Sequence, residues 1–204
     1  MKIIGVTGLI GSGKTEASGV LGRMGAYIID ADISAHKAIL RGNPAYGEIL
    51  EVFGEDILDS EGEIDRKRLG AIVFADPDKL SVLNALTHKH ILRDIGSEIE
   101  KVRANPGSYA GIALEAIYLF ESGLSDICDM CLIIVSEEES RLKRVMSRDR
   151  MSPDTAKKRI LSQKGICRTE ALTPKDHIIH NNGNLDEFIK KVEELALHVF
   201  RKTD

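Results

Sequence analysis

Ile3-Ile4-Gly5-Val6-Thr7-Gly8-Leu9-Ile10-Gly11-Ser12-Gly13-Lys14-Thr15 is the stretch that decides the fold. Ile3 to Val6 reads as a buried strand, Glu16 to Leu21 can open a helix, and between them Gly8 to Thr15 spells G-x-x-x-x-G-K-T. A loop of that composition, joining strand to helix, lets backbone N–H groups converge on phosphate oxygens while the helix N-terminus adds positive potential. In such a loop Lys14 bridges the outer phosphates and Thr15 offers its hydroxyl to Mg²⁺. A turn that binds nothing needs neither Lys-Thr after its last glycine nor glycine at each of Gly8, Gly11 and Gly13. The stretch predicts a protein that handles a nucleoside triphosphate.

Four further short apolar runs follow: Tyr27 to Ile29, Ile112 to Leu114, Leu132 to Val135, and Ile178 to Ile179. With helical patterns between them, these runs predict an α/β fold whose five-stranded parallel sheet is covered by helices on both faces. Asn184 is placed to cap a last helix whose apolar stripe is Phe188, Val192, Leu195 and Val199. The long stretch 34–107 has helical patterning and no core strand. It is more chain than a crossover needs, so it is expected to be a helical insertion that supports substrate binding. Within it Leu80, Leu83, Leu86, His90 and Ile91 fall at helical spacings, and Gly54 and Gly62 punctuate an acidic segment. A second appendage, 140–168, is expected to form a helical lid. Ser136-Glu137-Glu138-Glu139 matches a capping box, Ser152-Pro153 opens another helix, and Arg141 to Arg168 holds ten Lys/Arg against two Asp. The remaining 1–33, 108–139 and 169–204 make the core of a single domain.

At 204 residues the chain suits one domain with appendages. Its formal net charge of −4 argues against a dedicated nucleic-acid binder. No stretch approaches a membrane span, and the N-terminal apolar run, broken by Gly5, fits a first strand better than a signal peptide. Cys128, Cys131 and Cys167 give no even disulfide framework, which predicts a cytoplasmic protein. Cys128-Asp129-Met130-Cys131 has C-x-x-C spacing, yet it runs into an apolar strand and is read as core thiols.

Arg141, Arg144 and Arg148 are three and four apart, so one helix face can present them to the charge that builds up in phosphoryl transfer. Asp30-Ala31-Asp32 follows the second apolar run, at the strand end where ligands bind in open parallel sheets. One of these carboxylates could accept a hydroxyl proton and the other organise Mg²⁺; the plainer role for Asp32 is to cap a helix beginning near Ser34. Glu115 closes the third run and could hold Mg²⁺ through water. His88 and His90 point to different faces of a helix and form no metal pair, while His177 and His180 read as structural.

In this ordered set the chain resembles the dephospho-coenzyme A kinases over nearly its whole length. The resemblance is carried by Gly8 to Thr15, Asp30-Ala31-Asp32, Phe53-Gly54, Asp65-Arg66 with Leu69 and Phe74, Leu83-Asn84 with His88, Leu119-Phe120-Glu121, Arg141 with Arg144, Arg148-Asp149, Arg159 with Gln163, and Asn181-Asn182-Gly183. It implies a phosphate-loop kinase fold, ATP and Mg²⁺ as cofactors, and dephospho-coenzyme A as the small-molecule partner, with no nucleic acid and no membrane, in a monomer or weak homo-oligomer. It further implies Asp32 as base near the ribose 3′-hydroxyl, and Lys14 and Arg144 acting on the transferred group. ATP would be held by Gly8, Gly11, Ser12, Gly13, Lys14, Thr15, Glu16, Arg141, Arg144 and Asn181, the last near adenine. The acceptor would be held by Asp32, Arg66, His88, Phe120 and Glu121, and Mg²⁺ by Thr15, Asp30 and Glu115. Ile117 and Lys89 stand where the family has prolines. The competing readings are another small phosphate-loop nucleoside or nucleotide kinase, and a nucleotide-driven regulatory ATPase.

Overall fold

The computed structural model describes residues 1–105, 107–163, 166 and 172–200. The elements follow in the order β1 (Ile3–Thr7), α1 (Lys14–Arg23), β2 (Ala26–Asp30), α2 (Ala31–Ala38), α3 (Pro44–Phe53), α4 (Arg66–Phe74), α5 (Pro77–Arg103), β3 (Gly111–Glu115), β4 (Met130–Val135), α6 (Glu138–Asp149), α7 (Pro153–Leu161), β5 (Asp176–His180) and α8 (Leu185–Phe200). All five apolar runs are strands of one parallel sheet, in the order β2-β3-β1-β4-β5. By their contacts the residues divide into two compact units, Met1–Asp30 with Lys101–Asp204, and Ala31–Glu100.

In the first unit β1 is the central strand and is buried throughout. One face of the sheet packs Ile4, Val6, Leu132 and Ile134 against Val20 and Leu21 of α1 and Phe188, Val192 and Ala196 of α8. Removing a ring such as that of Phe188 from this core would cost about 3–5 kcal/mol. On β1, Gly5 is required by close approach: a Cβ there would lie 2.8 Å from both Cys128 Sγ and Leu119 Cδ2. Cys128 and Cys131 are buried and free, in keeping with core thiols; Cys167 lies outside the described residues. Register places Val6 and Asp30 both opposite Glu115, so β1, β2 and β3 end at one level. The loop after β1 and the two carboxylates therefore share the carboxyl edge of the sheet, where open α/β folds bind ligands.

Two expected helix starts are corrected. The first residue of α6 is Glu138 and its N-cap is Glu137, with no side-chain cap bond, so Ser136 does not form a capping box. Ser136 Oγ instead donates to Asn181 O at 2.8 Å, a contact between chain ends of β4 and β5 that local spacing cannot reveal. Helix α2 begins at Ala31, directly after β2, so Asp32 lies inside its first turn rather than capping a helix near Ser34. The other two caps are as expected. Ser152 Oγ accepts from Thr155 N at 3.4 Å ahead of Pro153, and Asn184 Oδ1 accepts from Asp186 N at 2.8 Å.

The second unit is helical apart from an isolated bridge between Leu58 and Ile64. Along α5 the buried line is His90, Ile91, Ile95 and Ile99, while Leu80, Leu83 and Leu86 are half-buried. Lys89, at a family proline position, leaves α5 unbroken, and its Nζ pairs with Glu48 Oε2 at 2.7 Å. His90 Nε2 meets the other oxygen of Glu48 at 3.1 Å, and these two partners hold the Glu48 carboxyl below its ordinary value.

Candidate active site

The loop between β1 and α1 is shaped by glycines at which any side chain would be strained. Gly13 is the N-cap of α1 with φ 106°, and a Cβ on it would collide with the Asn181 amide nitrogen. Gly11, with φ 76°, passes so close to α6 that a Cβ would lie 2.7 Å from Arg141 O. No side chain caps α1, which leaves the positive end of the helix to the loop.

Behind the loop stands a polar buttress. Asn181, only 6% exposed, donates from Nδ2 to Ser12 O at 2.8 Å. Arg144 Nη1 donates to Gly11 O at 3.2 Å, Ser12 O at 3.3 Å and Ser136 Oγ at 3.1 Å, and its Nη2 donates to Asn181 O at 2.8 Å. In a trans peptide the N–H points opposite to the C=O, so anchoring Ser12 O aims the Gly13 N–H away from Asn181. The buttress thus fixes the loop through its carbonyls and turns the Gly13 N–H away from the protein groups behind it.

In front, Lys14 Nζ lies 2.6 Å from Glu115 Oε1, and Thr15 Oγ1 donates to the same oxygen at 2.8 Å. Burial pushes the Glu115 carboxyl up, but the Lys14 charge and the hydrogen bonds outweigh it and leave the group below the ordinary carboxylate range. Thr15, Glu115 and Asp30 are hard oxygen donors, suited to Mg²⁺, which typically takes one or two protein oxygens and completes its shell with water and phosphate. Among the described residues no group of three or more His, Cys, Asp or Glu forms a dedicated metal cage.

A cleft of about 400 Å³ opens on this arrangement, lined by Leu9 to Gly11, Gly13 to Glu16, Ile117, Arg144, Val145, Arg148 and Gln163. Of the arginine face, Arg144 and Arg148 reach the cleft wall, while Arg141 is buried, with its backbone oxygen beside Gly11. Arg148 Nε pairs with Asp149 at 2.6 Å, and Arg159 joins the same carboxylate at 3.2 Å. Ile117, at the other family proline position, accepts a hydrogen bond from Thr7 Oγ1 at 3.0 Å; Phe120 is half-buried and Glu121 exposed in the same turn region after β3. Two residues have a place at the site that sequence did not give them: Ser136, read there as a helix cap, whose Oγ accepts from Arg144 Nη1 at 3.1 Å, and Gln163, whose Oε1 accepts from Ile10 N at 2.6 Å.

In the second unit Asp32 is the second residue of α2, two positions past the end of β2. Arg66 opens α4 behind its cap Asp65, and Arg66 Nη1 lies 3.0 Å from His36 Nδ1. His88 is half-buried on α5, and burial holds its pKa below the ordinary value, favouring the neutral ring.

Comparison with known proteins agrees with this architecture. Residues 2–187 match the dephospho-CoA kinase family. The dephospho-CoA kinase of Carboxydothermus hydrogenoformans is 37% identical over 186 residues, covering 91% of this chain and 88% of its own. That of Geobacter sulfurreducens is 37% identical over 195 residues, covering 96% and 97%. Among solved structures, the dephospho-CoA kinase from Campylobacter jejuni superposes with a TM-score of 0.68 at 29% identity over 98% of both chains. A Thermus thermophilus protein gives 0.76 at 26% identity over 97% of both. With a glycine-rich strand-to-helix loop on a five-stranded parallel sheet, and relatives matching over most of their length, the chain belongs to the dephospho-CoA kinase family, a family of transferases.

Proposed function

We propose that this chain transfers the γ-phosphoryl group of ATP to the ribose 3′-hydroxyl of dephospho-CoA, giving CoA and ADP. The observation that carries the reading is the Lys14–Glu115–Thr15 contact at the mouth of an uncapped helix, a cation and hard oxygen donors gathered where a triphosphate would end. Asp32 takes the proton of the 3′-hydroxyl, the 3′ oxygen bonds to the γ-phosphorus, and the bond from that phosphorus to the bridging oxygen breaks. Lys14 and the loop N–H groups balance charge on the departing phosphate, and Arg144 keeps those donors aimed by holding the carbonyls behind them. Mg²⁺, held through Thr15, Glu115 and Asp30 with the phosphates, would neutralise the β and γ oxygens.

Arg148 and Arg141 belong to the ATP side of the site, and Arg66, His88, Phe120 and Glu121 to the acceptor side. The helical stretch 34–107 receives the pantetheine portion and 140–168 serves as lid. The reaction is placed in the cytoplasm, in a monomer or weak homo-oligomer. The test is incubation with ATP, Mg²⁺ and a panel of acceptors, with products identified by mass and phosphate position. A 3′-phosphorylated product from dephospho-CoA is expected; phosphorylation of nucleosides or nucleotides in its place would sink the acceptor assignment.

A further inference from the structure

One donor of the loop after β1 is already engaged. Ile10 N–H donates to Gln163 Oε1 at 2.6 Å, across 153 residues of sequence, and both residues line the cleft. Gln163 stands two residues beyond the end of α7, its own N–H donating to Ile160 O at 3.2 Å. Helix α7 is in turn tied to α6 by Asp149, which takes both Arg148 and Arg159. An amide oxygen is a neutral acceptor, so it satisfies a backbone donor of the loop without placing negative charge where a triphosphate arrives. A carboxylate of the same reach would satisfy the donor equally and repel the phosphates.

We propose that Gln163 is a positioning residue for phosphoryl transfer: by accepting the Ile10 N–H it holds the first half of the phosphate loop in its anion-receiving shape and couples that shape to the α6–α7 hairpin. The inference rests on the kinase reading for its consequences in catalysis, but the contact itself does not. Loss of one neutral hydrogen bond of this kind corresponds to about three- to tenfold in an equilibrium or a rate.

The experiment follows Ile10 amide hydrogen exchange in nucleotide-free protein, together with kcat and the ATP KM, in Gln163→Leu, Gln163→Asn and Gln163→Glu. Leu fills similar space with no acceptor, and Asn keeps the amide but is one methylene short; both should speed Ile10 exchange and lower kcat by about three- to tenfold. Glu should keep Ile10 protected yet raise the ATP KM by about tenfold. Unchanged Ile10 exchange, or wild-type kcat, in the folded Leu and Asn variants overturns the proposal, and if the Leu variant does not fold the Asn variant decides alone. Ile10 protection in the wild-type protein needs no phosphoryl-group acceptor, so failure of the dephospho-CoA assignment would leave that arm standing and be told apart from failure of this one.

Discussion

Lys14 Nζ and Glu115 Oε1 lie 2.6 Å apart, with the two side chains 11% and 5% exposed, so the loop lysine and the end of β3 form a nearly buried ion pair. Removing one member of such a pair leaves the other as a buried charge, which is far costlier than losing an exposed pair.

Lys14→Met is therefore expected to abolish useful turnover and to change how stability depends on pH. In the wild-type protein the Glu115 carboxyl is held below its unfolded value, so its contribution is present above that value and is lost as pH falls through the folded pKa. Without Lys14, burial dominates and the folded pKa rises above the unfolded one, so the variant loses stability as pH climbs. The gap in Tm between the two proteins should be wider at about pH 7 than at about pH 5. A gap independent of pH would contradict the pairing, and near-normal turnover in the folded variant would contradict the role of the loop.

Asp32→Asn keeps size and polarity and removes the carboxylate proposed as base. The chemical step should fall by roughly 10²- to 10⁴-fold while ATP still binds. Because Asp32 lies within the first turn of α2 and is not its cap, the loss of its dipole interaction should cost the helix about 0.3–1 kcal/mol. Circular dichroism checks the fold and single-turnover kinetics the step; survival of the step would refute the assignment of a base.

The buttress behind the loop leads to a different signature. Arg144→Ala strips donors from Gly11 O, Ser12 O and Asn181 O, and should cost about 1–3 kcal/mol of stability and raise the ATP KM along with lowering kcat. Arg144→Lys restores the charge but not the two-nitrogen fork, so it should remain impaired. Lys143→Ala, on the same helix but paired with Glu139 on the surface, should stay close to wild type. If the alanine variants at both positions behave alike, the basic surface acts only by its overall charge.

The inner strands β1, β3 and β4 were legible because parallel strands buried on both faces must be apolar along their length, and the loop because Gly8, Gly11, Gly13, Lys14 and Thr15 each answer a separate local demand. Helix caps were legible where cap and helix are adjacent in sequence, as at Ser152 and Asn184. Ser136 misled for the same reason. Its spacing to Glu139 fits a local motif, but its hydroxyl is taken by Asn181, 45 residues away, and by Arg144. Arg144 likewise reads as one of three equivalent arginines on a helix face. That it grips Gly11 O, 133 residues distant, while Arg141 is buried, depends on how α6 packs against the loop, which periodicity alone does not encode. Gln163 entered only through the resemblance, paired with Arg159, and its contact with Ile10, 153 residues away, has no counterpart in local spacing.

The acceptor carries the last prediction. If the helical stretch between β2 and β3 reads the pantetheine and diphosphate portions, their binding energy helps set the 3′-hydroxyl in line with the γ-phosphorus, so shortening the acceptor should lower kcat as well as affinity. Adenosine and AMP carry the same ribose hydroxyl and should be phosphorylated much more slowly than dephospho-CoA, by at least about 10²-fold in kcat/KM. An analogue of dephospho-CoA lacking the 3′-hydroxyl should bind competitively and gain no phosphate. If Arg66 holds the part of the acceptor that AMP does not have, Arg66→Ala should weaken dephospho-CoA while leaving the slow AMP reaction unchanged. Equal turnover of AMP and dephospho-CoA would assign the chain to nucleotide phosphorylation, and ATP hydrolysis without any phosphorylated acceptor would favour a regulatory ATPase.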